Sequence, residues 1–458
     1  MDQPTPIPPT PPNPPKFNPA LAHQNKPKLR PVRGFPMKHG EQVLMGLADA
    51  RQISDRVVYT IPQVQVILPH MNGQNDVDAI LSAVGRGLRR EDLEMIIAQL
   101  DDAGLLEGPS FQAMLAKVHE QFDSSELLPP AGTADFADAL VAQEIGEGVT
   151  DSQKAELGPA RLRKAMDEWI DKALQEAKDP SFDVLPRAII APHLDYWRGW
   201  MNYAHAYGRM RVVDRPDRVV ILGTNHFGHG TGVVACDKGY QSPLGACKSD
   251  AAFLESVKKH LTAEQSRQML EHRYDHEREH SIELHIPWIQ HVFGPSESGE
   301  YPKVVGFLVH DPSQNNGESY DGKGLGILAF IDAMKKAVAE VPGRTLLVSS
   351  ADLSHVGGAF GDKIQFTAET EEAQQFRSKV LQHDQEMLTL VREGKAEELV
   401  SSMAWMQNPT RWCSIGNLVA TMKIAGAAGS GDVKILNYVF AGDQQGVAMV
   451  SSIAGVIA

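Results

Sequence analysis

The sequence predicts an α/β protein: a large C-terminal three-layer domain around a central mixed, largely parallel sheet, with a small α+β domain ahead of it. Two observations carry this. Residues 181–458 contain four short, continuous apolar runs separated by helical segments, the pattern of strands buried on both faces of a sheet. Upstream, two amphipathic helical patterns follow short β-rich runs, as in a separate small unit. At 458 residues the chain has room for both, and 42% apolar against 22% charged residues is ordinary for a globular protein.

Residues 1–36 are read as a disordered, proline-rich tail. Pro8-Pro9, Pro11-Pro12 and Pro14-Pro15 fix φ and remove donors, which favours solvated polyproline II over a packed element. No apolar stretch of a secretory signal or a membrane span is visible. Residues 37–126 are read as a winged-helix-like domain. Val57-Val58-Tyr59 and Val64 to Leu68 are predicted strands, with Pro62 between them. Asp76 caps a helix carrying Val77, Ile80, Leu81 and Val84, which Gly85 and Gly87 end. A second helix starts at Arg90, with Leu93, Ile96, Ile97 and Leu100 on one face. The stretch AILSAVGRGLRREDLEMIIAQLDDAGLLEG resembles the small winged-helix domains that hold peptides in ribosomal-peptide modification systems. Residues 127–180 form a helical linker and the start of the large domain, with Leu162, Met166, Ile170 and Leu174 at helical spacing.

In residues 181–458 each apolar run closes on polar chemistry. Arg187 to Pro192 ends at His193, and Arg218 to Gly223 ends at Thr224-Asn225-His226. Lys303 to Val309 ends at His310, and Arg344 to Ser349 leads to Asp352 and His355. Ligands of open α/β sheets sit at the carboxyl ends of the strands. One histidine after a strand is ordinarily a loop residue; four such ends together predict a shared site. Two imidazoles and a carboxylate with open positions suit non-haem Fe(II), and copper and zinc are also open. An unligated histidine there would serve as general acid or base.

The run His276-Glu277-Arg278-Glu279-His280 fits the HExxH pattern of zinc proteases and also its reverse, so the match is cheap. Pro287 ends the segment soon afterwards. The expected role is a polar helix start whose His280 and Glu283 line or buttress the first site, with zinc hydrolysis as an alternative. Charge and cysteine content narrow the setting. A net charge of -14 disfavours nucleic acid, as do Glu91, Asp92 and Glu94 on the second helix, so a scaffold or protein-contact role is expected of the small domain. Cys236, Cys247 and Cys413 form no CxxC pair, which points to a reducing cytoplasm.

Taken in order, APHLDYWRG (191–199), ILGTNHFG (221–228), SPLGACKSD (242–250), EHSIELHIPWI (279–289), SSADLSHVG (349–357) and AGDQQG (441–446) resemble the Memo family, component B of the AmmeMemoRadiSam system. The resemblance implies a fold similar to class III extradiol dioxygenases, non-haem iron enzymes that open catechol rings with O₂. It makes His193 and His226 metal ligands, with Asp352 and His355 as the opposite wall and His355 in the acid-base position. The family usually supplies a cysteine as third ligand. Aligned on Ile415-Gly416, that position falls on Thr410, with Cys413 three residues later. Three outcomes follow: Cys413 takes over, Asp352 is the third ligand, or metal binds weakly. Asn225, His280, Glu283, Thr410 and His310 are expected to support the ligands from behind.

The functional expectation is a metal-dependent, dioxygenase-like oxidoreductase using iron or copper, with zinc as a third candidate. The alternatives are a non-catalytic peptide- or ligand-binding protein or scaffold of such a modification system, and a zinc hydrolase. The resemblance adds radical-SAM and AmmeCR1-type proteins as partners, beside a small-molecule or peptide ligand.

Overall fold

The computed structural model describes residues 14–39, 42–85, 87–146, 148–443 and 445–458. They form two compact units that meet in sequence at Ser124/Ser125. Among the described residues, no helix is long and apolar enough to cross a membrane.

The first unit is α+β. After a short α1 (Ala22–Asn25), strands β1 (Val32–His39), β2 (Gln42–Asp49) and β3 (Val57–Thr60) form an antiparallel sheet in that order. Helices α2 (Val77–Val84), α3 (Arg90–Asp102) and α4 (Pro109–Ser124) follow. The two expected helices form where their pattern places them. Asp76 accepts from the Ala79 N–H, satisfying one of the free donors at the start of α2. Leu93, Ile96, Ile97 and Leu100 of α3 are all buried, in one core with Leu47, Val58 and Ile80.

Two expectations about this unit are corrected. The run Val64 to Leu68 forms 3₁₀ turns, Pro62–Val66 and Leu68–His70, and not a strand. Pro62 and Pro69 supply a helical φ and lack the N–H that a ladder needs. The folded chain also begins inside the stretch read as a tail, although residues 1–13 lie outside the described residues. β1 tolerates Pro36 because it is an edge strand. Just ahead of it, Arg30 is buried against Asp49 at 3.0 Å and donates to the Gly104 carbonyl. Asp49 also accepts from the N–H groups of Arg51, Ile53 and Ser54. Asp49→Ala should therefore strand a buried guanidinium and cost about 3–5 kcal/mol. Denaturant unfolding of the Asp49→Ala protein measures this, and a loss below about 1 kcal/mol would contradict the pairing.

The second unit carries the large sheet. Its strands are β5 (Ala188–Ala191), β6 (Arg218–Gly223), β7 (Val234–Ala235), β10 (Lys303–Leu308), β11 (Thr345–Ser350), β12 (Asp352–Val356), β13 (Val433–Gly442) and β14 (Met449–Ile457). The order is β12-β14-β5-β11-β6-β10-β7, with β13 added on β14. The four runs read as strands are β5, β11, β6 and β10, and they alone pair in parallel among the described strands of this sheet. Every residue of β5 and β6 is buried, which is why their sequences run apolar without alternation. A small separate sheet joins β4 (Leu127–Leu128), β8 (Gly239–Ser242) and β9 (Gly245–Cys247).

Helices cover both faces. Alternate residues Ile190, Leu222 and Phe307 pack with Phe330 and Met334 of the helix Ile327–Glu340 and with Leu418 and Met422 of the helix Ile415–Ala425. On the other side the helix Tyr196–Tyr207 lies against β5, β13 and β14 and is backed by Asp151–Leu174. Leu162, Met166, Ile170 and Leu174 of that backing helix are buried, as their spacing requires. Ahead of it, Gly132–Ile145 packs antiparallel-fashion along its neighbour in sequence.

Candidate metal centre

The site forms where β5, β11 and β6 end side by side. His193 follows β5, His226 follows β6, and Asp352 and His355 follow β11. Cys413 arrives from far along the chain, just before the helix Ile415–Ala425. Asp352 and His355 are three apart and would point to opposite faces of a regular strand. The register of β12 on β14 shifts between them, and this irregularity turns both toward one cavity. That cavity has a volume of about 550 Å³ and is lined by His193, His226, His280, Asp352 and His355 among mainly apolar side chains.

His193, His226 and Cys413 place one ligand atom each within 4.8 Å of one another and could hold a metal ion. His193 Nε2 lies 3.3 Å from Cys413 Sγ. The far side of each imidazole is already occupied. Ser350 Oγ donates to the Ser281 carbonyl, so toward His193 Nδ1, 3.0 Å away, it accepts. Glu279 lies 3.0 Å from His226 Nδ1 and also accepts the His226 N–H. Both rings thus carry hydrogen on Nδ1 and leave Nε2 free, the arrangement that outer hydrogen bonds give to metal-ligating histidines. These three groups, two imidazoles and one sulfur, fit a borderline or soft ion.

Burial sets the charge states. It pushes His193 well below its ordinary value, helped by His226, His280 and His355 nearby. It also lowers His280 and His355 to about 4 each. For His226 burial works against the charge, yet the Glu279 carboxylate and Cys413 outweigh it and raise the ring well above its ordinary value. Glu279 is the counterpart: burial alone would raise it, and His226 holds it below the usual carboxylate range. The His226 ring is thus favoured to carry a second proton, on Nε2, which an ion would have to displace on binding, while its neighbours stay neutral with lone pairs to give. Burial raises Asp352 to about 7 against the pull of the His193 N–H it accepts.

The other expected residues divide. Asn225 shapes the loop that carries His226, donating to Asp275 at 2.8 Å and accepting the Gly228 N–H. His280 reaches the cavity, its ring 4.7 Å from that of His226. Glu283 does not support the ligands; it accepts the N–H groups of Ala131, Gly132 and Thr133 and the Thr133 hydroxyl, fixing the start of the helix Gly132–Ile145. Thr410 is not turned to the metal group either. Its hydroxyl is 2.7 Å from that of Ser354, and of the two residues it is Cys413 that stands with His193 and His226. His310 lies apart, because β10 is on the far side of β6; its Nε2 faces the Gly317 carbonyl at 3.3 Å.

The zinc-hydrolase alternative fails on geometry. His276 ends a 3₁₀ turn and His280 begins a separate short helix, so they do not face one way across a helical turn. Both ring nitrogens of His276 are engaged, by Tyr240 at 2.9 Å and by the Val234 carbonyl at 3.1 Å. Within the motif it is Glu279 that joins the site, forming a second group with His226 and His280.

The Cys413 loop is held under strain. Gln407, Asn408 and Arg411 adopt positive φ values of 58°, 45° and 60° without being glycine. Asn408 offsets this by accepting the Trp412 N–H and donating to the Trp412 carbonyl, each at 2.8 Å. Arg411 donates to the His355 carbonyl at 2.8 Å, which links the loop to the opposite wall.

An α/β fold that gathers imidazoles and a thiol at the carboxyl ends of its parallel strands defines a protein with a candidate metal-binding cavity at the sheet's edge. The comparisons with known proteins add its lineage. A family model of Memo-like proteins matches residues 156–456, and the chain belongs to that family. A MEMO1 family protein of Methanopyrus kandleri is 27% identical over 297 residues, covering 63% of this chain and 89% of the relative. One of Aquifex aeolicus is 24% identical over 391 residues, covering 84% and 87%. One of Thermotoga maritima is 32% identical over 173 residues, covering 37% and 54%.

Proposed function

We propose that the chain is a metal-dependent oxidoreductase whose ion, iron or copper, is held by His193, His226 and Cys413. The observation that carries this reading is the shared tautomer: Ser350 and Glu279 take up Nδ1 of both rings and leave both Nε2 atoms for one ion beside one sulfur. Imidazole with thiolate suits copper, iron and zinc, and the cavity beside the three donors leaves room for a reactant. When bound, such an ion supplies one-electron and O₂ chemistry.

The protein's own groups do the rest. His355 Nδ1 donates to the Leu353 carbonyl at 2.8 Å, so its Nε2 carries a lone pair. Kept neutral by burial, that nitrogen is placed to take a proton from a reactant in the cavity. Asp352 holds the turn after β5 through the His193 N–H.

Elemental analysis of the purified protein should find about one equivalent of iron or copper per chain, and Cys413→Ala should remove most of it. Full retention of metal in the Cys413→Ala protein would overturn the assignment of the third donor. A wild-type protein that takes up neither metal would overturn the reading as a whole.

A further inference from the structure

Two residues that line the cavity without offering a candidate metal ligand are left uncommitted by packing. Asp135, on the first turn of the helix Gly132–Ile145, lines the cavity with an exposed carboxylate. Among the described residues its side chain has no ion pair or hydrogen-bond partner, whereas the other charged lining residues are committed. Asp195 is held by Arg198 at 2.6 Å, and Asp352 lies 3.7 Å from His193. Trp197 is 50% exposed, although it also lines the cavity and its ring centroid is 4.6 Å from that of the buried Phe136. A half-exposed ring lining the same cavity as a free carboxylate, and packed on Phe136, the residue after Asp135 in the chain, is complementary to a cation on an apolar body.

We propose that this cavity takes a small cationic amine with an aromatic, ring-sized body, its ammonium group paired with Asp135 and facing Trp197. The proposal rests on the metal-centre reading only in placing the reactant in the same cavity; the amine site itself is built from residues that hold no metal. Its wall is rigid. Glu283 fixes the start of the helix through three N–H groups and a hydroxyl, so Asp135 and Phe136 are held in place before any ligand arrives. That helix precedes residues 156–456, the part matched by the family model. An anionic ligand is disfavoured, because Arg198 already gives Asp195 two of its guanidinium nitrogens.

The test is calorimetric titration of the metal-free full chain with 2-phenylethylamine, 2-phenylethanol and phenylacetate. The amine should bind about tenfold more tightly than the alcohol, and phenylacetate most weakly of the three. Asp135→Asn should bring the amine to within about twofold of the alcohol and leave the alcohol unchanged. A residue serving only the helix dipole would weaken the helix without altering that ratio. Trp197→Ala should weaken amine and alcohol together. Phenylacetate binding as tightly as the amine, no measurable binding of the amine, or an undiminished preference in the Asp135→Asn protein would each overturn the proposal. The two readings fail separately: loss of the amine preference with stoichiometric metal intact sinks this one, and an intact preference in a chain that takes up no iron or copper sinks the other.

Discussion

A His193→Ala protein is expected to emerge from purification without stoichiometric metal, its affinity lowered more than about 100-fold. Losing a group that merely orients a ligand costs about 10–100-fold, and His193 is itself a donor. The residue is buried, 3.3 Å from the sulfur of Cys413, and its ring is oriented by Ser350. Metal titration followed by elemental analysis checks this, with circular dichroism showing that the fold survives. Thr410→Val is the informative contrast. It should leave metal affinity unchanged while costing stability through the lost bond to Ser354, and a large loss of metal in that protein would return the third donor to Thr410.

The second large effect is expected at Asp384, which touches no ligand atom. Its buried carboxylate collects four donors: the Ser354 and Ser451 hydroxyls, the Tyr438 hydroxyl at 2.7 Å and the Trp412 Nε1–H at 2.8 Å. Those donors belong to the strand that bears His355, to β14 and β13, and to the loop that bears Cys413. Asp384→Ala would leave them without their acceptor in a buried setting, at a cost of about 3 kcal/mol or more. Asp384 is thus a positioning residue, and its loss should be read in two ways at once: a lower denaturation midpoint, and a weakened metal affinity measured under conditions where the protein remains folded. A variant as stable as the wild type would contradict the role, as would one that loses stability but binds metal with wild-type affinity.

Much of the fold was legible in the sequence because the parallel strands are buried on both faces, so their apolar runs are unbroken and their ends are marked by polar residues. β1 and β2 were not legible. β1 reads Val32-Arg33-Gly34-Phe35-Pro36, and its glycine and proline speak against a strand unless it is known to lie at an edge. His193, His226, Asp352 and His355 could be grouped from strand ends alone. His310 could not be set aside, because sequence does not give the order of strands, and order decides which ends are neighbours. Glu283 has a carboxylate near the motif, but its partners lie some 150 residues earlier, beyond any local pattern. The choice between Thr410 and Cys413 turned on a loop with three left-handed residues, which carries no glycine to announce itself.

The separation of the proposed donors along the chain has a consequence for how the protein would acquire and lose an ion. His193 and Cys413 are 220 residues apart, and closing such a loop needs the whole sheet in register first. No peptide-sized fragment or early folding intermediate can therefore preassemble the trio, and an ion held there would enter as a late guest of a finished scaffold. Once bound it stabilises only the native state, by about 2.7 kcal/mol when free metal stands at a hundred times the dissociation constant. Heating should then release metal and unfold the large domain in one cooperative step, at a midpoint that climbs with metal concentration.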